Sequence, residues 1–183
     1  MRRSLLSLAL VAAMAVLVAG CGGSDGDGSS TTSAADWASG YCSDATSWVT
    51  SLDEARAGVK AGSTTAGDAA QSVTDETNSL IQSIDDLGAP DTPDGSTSEA
   101  TAKSLATTLS GRVARISAAI DTTNSDVTLA QQTAIVREQI DASLTDIKTT
   151  TAKLEADDAE LGTAMKASSD CTSLDAALVK ASA

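Results

Sequence analysis

Between residues 34 and 168, apolar residues recur at intervals of three and four along four long stretches, and every interruption of that rhythm is a cluster of Gly, Pro, Ser or Asp. A period near 3.6 puts such residues on one face of a helix, whereas a half-buried strand needs a period of two. The first stretch runs from Ala34 to Lys60 through Trp37, Tyr41, Ala45, Trp48, Val49, Leu52, Ala55 and Val59, and Ala61-Gly62-Ser63 breaks it. Thr65 with Asp68 then reads as a capping box that opens a second helix carrying Ala69, Val73, Thr77, Leu80, Ile81, Ile84 and Leu87 inward. Two prolines and two glycines between Gly88 and Gly95 require a loop. Ser96 with Glu99 reads as the box of a third helix, lined by Ala102, Leu105, Leu109, Val113, Ile116 and Ile120 and ending near Asp121.

Asn124 or Ser125 is the expected cap of the fourth helix, whose stripe runs through Leu129, Val136, Ile140, Leu144, Ile147, Thr151 and Leu154. Asp157 with Glu160 looks like a fresh start, so residues 158 to 168 are expected to form a short fifth helix. Unbroken, the segment from Ser125 to Ser168 would be about 65 Å long, against roughly 35 to 40 Å for the others. The fold expected for residues 34–183 is therefore all-α: an up-and-down four-helix bundle with a short additional C-terminal helix. Composition agrees, since Phe is absent and aromatics make up 2% of the chain, which disfavours a β-sandwich.

Residues 1–20 read as a secretory signal: Arg2 and Arg3, then an apolar run of about 14 residues, too short to span a bilayer. Its end, Val18-Ala19-Gly20-Cys21, resembles the lipobox of bacterial lipoproteins. The resemblance implies a diacylglycerol on the sulfur of Cys21, cleavage between Gly20 and Cys21, and anchoring by acyl chains of the palmitate kind, each buried methylene contributing about 0.8 kcal/mol. The alternative is an ordinary signal cut at which Cys21 is incidental. Arg2-Arg3-Ser4-Leu5-Leu6 leaves both the general secretory and the twin-arginine export routes open. Residues 21–33 then form the lipidated Cys and a Gly/Ser-rich linker, whose Asp25-Gly26-Asp27-Gly28 lacks the later ligand positions of a calcium loop.

All 25 acidic residues and ten of the 12 basic ones lie beyond residue 20, so the chain without its signal carries a net charge near −15. That surface repels phosphate backbones, which excludes nucleic acid as a partner and leaves membrane attachment to the lipid on Cys21. The chain has no His, which removes Ser-His-Asp and Cys-His catalysis and His metal ligands. With Cys21 assigned to the lipid, Cys42 and Cys171 remain; in an exported protein this pair reads as a disulfide, and their distance apart in sequence is unlike a redox or metal pair. Trp37…Tyr41-Cys42…Trp48, Leu87-Gly88-x-Pro90-x-Thr92 and Glu160-Leu161…Cys171-x-x-Leu174 together resemble a family of small secreted actinobacterial lipoproteins without an established activity. The resemblance implies the fold and the location and carries over no catalytic residue.

Two constellations remain as candidate sites. Trp37, Tyr41 and Trp48 share one helical face, either as a stacking surface for a ligand or as core around the Cys42–Cys171 pair, and the spacing favours the core. The acid pairs Asp53-Glu54, Asp75-Glu76, Asp85-Asp86 and Asp157-Asp158 point about 100° apart on a helix, so neither a metal site nor a catalytic pair is expected from them. No cofactor-binding or hydrolase motif is present. The function expected is non-enzymatic: binding or interaction with an envelope protein, or carriage of an apolar or lipid ligand between the helices. An enzyme that uses Asp or Glu is the remaining alternative.

Overall fold

The computed structural model describes residues 32–121 and 128–182. The signal segment, Gly20, Cys21, most of the linker and the expected caps Asn124 and Ser125 lie outside the described residues. Among the described residues six helices follow one another: α1 (Ala34–Ala61), α2 (Ala66–Leu87), α3 (Gly95–Ile120), α4 (Leu129–Asp157), α5 (Ala159–Ala167) and α6 (Ser169–Ala181). The chain is all-α, and α1 to α4 run up and down as the periodicity requires. Trp37 in the first turns of α1 reaches Gly88 just after α2, Tyr41 reaches Thr151 near the end of α4, and Arg112 of α3 reaches Asp146 of α4.

The turns show why the helices start and stop where they do. Thr65 accepts from the Asp68 amide at 3.1 Å, as expected, and Gly62, at φ 71°, ends α1 in the left-handed conformation that suits glycine. At α3 the expected box fails. Asp94 is the N-cap, Ser96 and Glu99 already lie inside the helix, and Glu99 pairs with Lys103 instead. The reason is the preceding turn: the Gly95 amide bonds the Thr92 carbonyl at 3.1 Å, which starts the helical path before Ser96. The cap of α4 is Thr128, in a reciprocal box with Gln131. Leu129 is therefore the first helical residue and is 70% exposed, not part of the core stripe; burial along α4 begins only at Val136. The expected Val113 of α3 is half-buried, and Ala106 and Ala119 join that core face instead.

The break at the end of α4 exists, displaced by one residue. Asp158 leaves the helix and caps α5 by accepting from the Leu161 amide at 3.0 Å. Beyond the one additional helix expected there is a second, α6, capped by the Ser168 hydroxyl. It lies along α1 in the same direction: Asp170 meets Ser39, Cys171 meets Cys42, and Lys180 meets Asp53. Its buried residues Cys171, Leu174, Leu178 and Ala181 recur at three and four, so the same rhythm seals the outer face of α1.

The folded part begins earlier than the expected linker boundary. Thr32 forms a bridge with Pro90, with the Asp91 amide donating to the Thr32 carbonyl at 2.8 Å, and Ser33 caps α1 by accepting from the Asp36 amide. Thr32 and Ser33 therefore belong to the domain. They fix the point at which the preceding chain joins it, at the end of the bundle where α2 hands over to α3.

Candidate functional site

Trp37, Tyr41 and the Cys42–Cys171 pair lie toward that same end, while Trp48 lies farther along α1, against the middle of α2. The Cys42 and Cys171 sulfurs are bonded at 2.02 Å, closing a separation of 129 residues and fastening α6 to α1. Trp37 and Tyr41, one turn apart, stack with ring centroids 5.3 Å apart. Trp37 and Tyr41 are 0% exposed and Trp48 1%, so none presents a face to a ligand. Each polar tip is satisfied within the bundle: Trp37 Nε1 donates to the Gly88 carbonyl at 2.9 Å, Trp48 Nε1 donates to Thr77 Oγ1 at 3.0 Å, and the Tyr41 and Thr151 hydroxyls lie 3.2 Å apart. In a chain this poor in large side chains, the three rings supply the bulk that closes the gaps between helices. The ligand-facing alternative is corrected on that ground. Burial pushes the Tyr41 hydroxyl up to about 12, against the Thr151 hydrogen bond, which lowers it.

The adjacent acids Asp157 and Asp158 diverge because α4 ends between them. Asp157 faces outward and pairs with Lys153, while Asp158 turns inward and is 1% exposed. Burial raises the Asp158 carboxyl, but donors outweigh it: the Leu161 and Glu160 amides and the Thr92 and Ser98 hydroxyls, the hydroxyls at 2.5 and 3.1 Å. The net position lies below the ordinary carboxylate value. Asp158 is thus an ionised joint that ties the α2–α3 loop and α3 to the start of α5. Its hydrogen-bonding capacity is spent on the fold. Asp53, from another pair, is held by Arg56 and Lys180. Among the described residues no three His, Cys, Asp or Glu converge as a metal-binding group.

Two grooves on the described surface are roomy enough to consider. One, of about 410 Å³ between α3 and α4, is lined mainly by hydroxyls, including Thr97, Thr101, Ser104, Thr108 and Thr149. The other, of about 440 Å³, lies where α1, α4 and the end of α6 meet, and a neighbouring hollow of about 240 Å³ shares Arg56, Asp141 and Ser182 with it. Arg56 spans the gap, donating to Asp53 on its own helix and to Asp141 on α4, both at 3.1 Å. Sequence reasoning missed this second groove. Its signal was present as two polar stripes at helical spacing, Asp53, Arg56 and Lys60 on α1 and Arg137, Asp141 and Lys148 on α4, but the pattern of one helix does not say which other helix it will face. No helix among the described residues is long and apolar enough to cross a membrane. Compared with protein-family models, with curated proteins and with solved structures, the chain finds no match in any of the three.

Proposed function

We propose that this protein is an extracytoplasmic lipoprotein, held at the cell membrane by acyl chains on Cys21 and acting by binding rather than by catalysis. The observation that carries the reading is the attachment of the chain at Thr32. The Thr32–Pro90 bridge fixes one end of the bundle as the place where the preceding chain joins it, so an anchor on Cys21 would hold the domain by that end. That end also carries Asp36, Asp85, Asp86, Asp91, Asp94 and Asp157. An anionic lipid surface repels such a cluster, so attachment falls to the acyl chains and the rest of the bundle stands away from the membrane.

The non-enzymatic part of the reading rests on how the chemistry-bearing groups are used. Asp158 and Tyr41, whose titration the fold shifts, are occupied as a helix cap and as core packing. The space between the helices, where a carrier would hold an apolar ligand, is filled by Trp37, Tyr41, Trp48 and the core leucines and isoleucines. The surface grooves are therefore the places at which binding would occur. Fractionation of cells expressing Cys21→Ser tests the anchor. Release into the medium, or accumulation with the signal uncleaved, is expected; a processed variant that stays on the membrane overturns the reading.

A further inference from the structure

Acids outnumber bases by more than two to one in this protein, so a place where several cations without an ion pair come together stands out from the rest of its surface. Lys60, Arg137 and Lys148 form no ion pair among the described residues, and all three open onto the adjoining hollows between α1, α4 and the end of α6. Arg56 lies between them, its side chain 24% exposed and already oriented by Asp53 and Asp141. Lys180, at the same wall, reaches Asp53 at 3.5 Å. Arg56, Lys60, Arg137 and Lys148 thus line two adjoining hollows whose carboxylates are Asp53 and Asp141, on a molecule whose net charge is strongly negative. The floor is different in character. Of the buried leucines, Leu144 and Leu178 are the two least covered, at 9% and 8% exposure, and both line this groove.

We infer that the α1/α4/α6 groove binds a small amphiphile with an anionic head, a phosphate monoester or carboxylate, and a short apolar body. Arg137, Lys148 and Lys60 would take the head, with Arg56 preorganised by its two carboxylates, and Leu144 and Leu178 would take the apolar part. A cavity of about 440 Å³ lies within the range of roughly 300–1,000 Å³ usual for small-molecule sites. The local excess of positive charge would also draw an anion toward this groove and away from the acidic remainder of the surface. The inference names a ligand class for the binding role proposed above and rests on that role, but not on the anchor.

Octyl phosphate, inorganic phosphate and octanol, each titrated calorimetrically into the full chain from Cys21 onward, form the test. Octyl phosphate is expected to bind more tightly than either of the others. The double variant Arg137→Glu/Lys148→Glu should weaken it by about tenfold or more, because two favourable charge contacts become repulsive. The matched variant Arg115→Glu/Lys166→Glu makes the same charge change on two cations that lie outside the groove, and it should leave affinity within about twofold. The conservative Arg137→Gln/Lys148→Gln should fall between wild type and the reversal. Circular dichroism checks the fold of every variant, and both groove residues are exposed. Equal binding of octanol overturns the anionic half, and equal binding of inorganic phosphate overturns the apolar half. Equal weakening by the two charge reversals overturns the location. Absence of octyl phosphate binding in a protein that still fractionates with the membrane overturns the groove alone and leaves the anchored reading standing.

Discussion

Asp158→Ala should cost the fold about 3 kcal/mol, and the structure indicates where each part comes from. The carboxylate caps α5 through the Leu161 amide, and loss of an N-cap costs about 1 kcal/mol. Its second oxygen accepts from Thr92 and Ser98; Ser98 is buried, and each hydroxyl left without an acceptor costs about 1 kcal/mol, the low end of the usual range because a hydroxyl can rotate in search of another partner. In a protein of this length 1 kcal/mol moves the melting temperature by about 2–4 °C, so thermal unfolding followed by far-UV circular dichroism near pH 7 should show a fall of about 6–12 °C. The pH dependence supplies an independent check. Because the folded-state pKa of Asp158 lies below its unfolded value, its contribution is complete above the ordinary carboxylate range and is lost as pH falls through the lower, folded value. The gap between wild type and variant should therefore narrow on moving from pH 6 toward pH 3. A melting temperature within about 2 °C of wild type near pH 7, or a gap that stays constant down to pH 3, would refute the assignment of Asp158 as an ionised joint.

Other perturbations probe the remaining parts. Reduction of the Cys42–Cys171 bridge releases a separation of 129 residues and should destabilise the domain by about 5 kcal/mol in the chain-entropy treatment; urea unfolding with and without reductant measures it, and coincident curves would contradict it. Tyr41 is the only tyrosine, so the change in ultraviolet absorbance on phenol ionisation reports it alone, against a constant background from the two tryptophans. Its raised folded-state pKa means that stability is intact below about pH 10 and is lost as pH rises toward 12, with phenolate appearing near 12 or on alkaline unfolding; ionisation near 10 with the fold intact would refute its burial. Gly162→Ala should destabilise by about 1–3 kcal/mol, although alanine is the better helix former by about 1 kcal/mol. A Cβ there would sit 2.2 Å from the Glu155 carbonyl oxygen, and a rise in melting temperature would show that α4 and α5 are not so tightly apposed.

The helical architecture could be read from the sequence because burial on a bundle follows a single period, and every residue assigned to the core face of the first helix is buried. The Cys42–Cys171 pairing was legible by elimination among three cysteines. What escaped depends on contacts between segments distant in sequence. Thr32 is ordered by Pro90, which no local pattern announces. The cap of α3 moved because Thr92 begins the turn, and Leu129 lost its core position because the Thr128 cap starts α4 beyond the packed part of the bundle. The helix α6 is 13 residues long, too short to be stable alone, and exists because α1 and the disulfide hold it. The groove cations were visible as single residues, but their convergence requires knowing that the end of α6 lies beside α1 and α4.

The proposed anchor at Cys21 would connect the fold to a place and a role, and intact-mass spectrometry of the protein extracted from its host cells tests it directly. The account predicts a chain that begins at Cys21, carries the added mass of a diacylglycerol on that sulfur, and retains the Cys42–Cys171 bridge. A chain that begins elsewhere, or that begins at Cys21 with a free thiol, would contradict it.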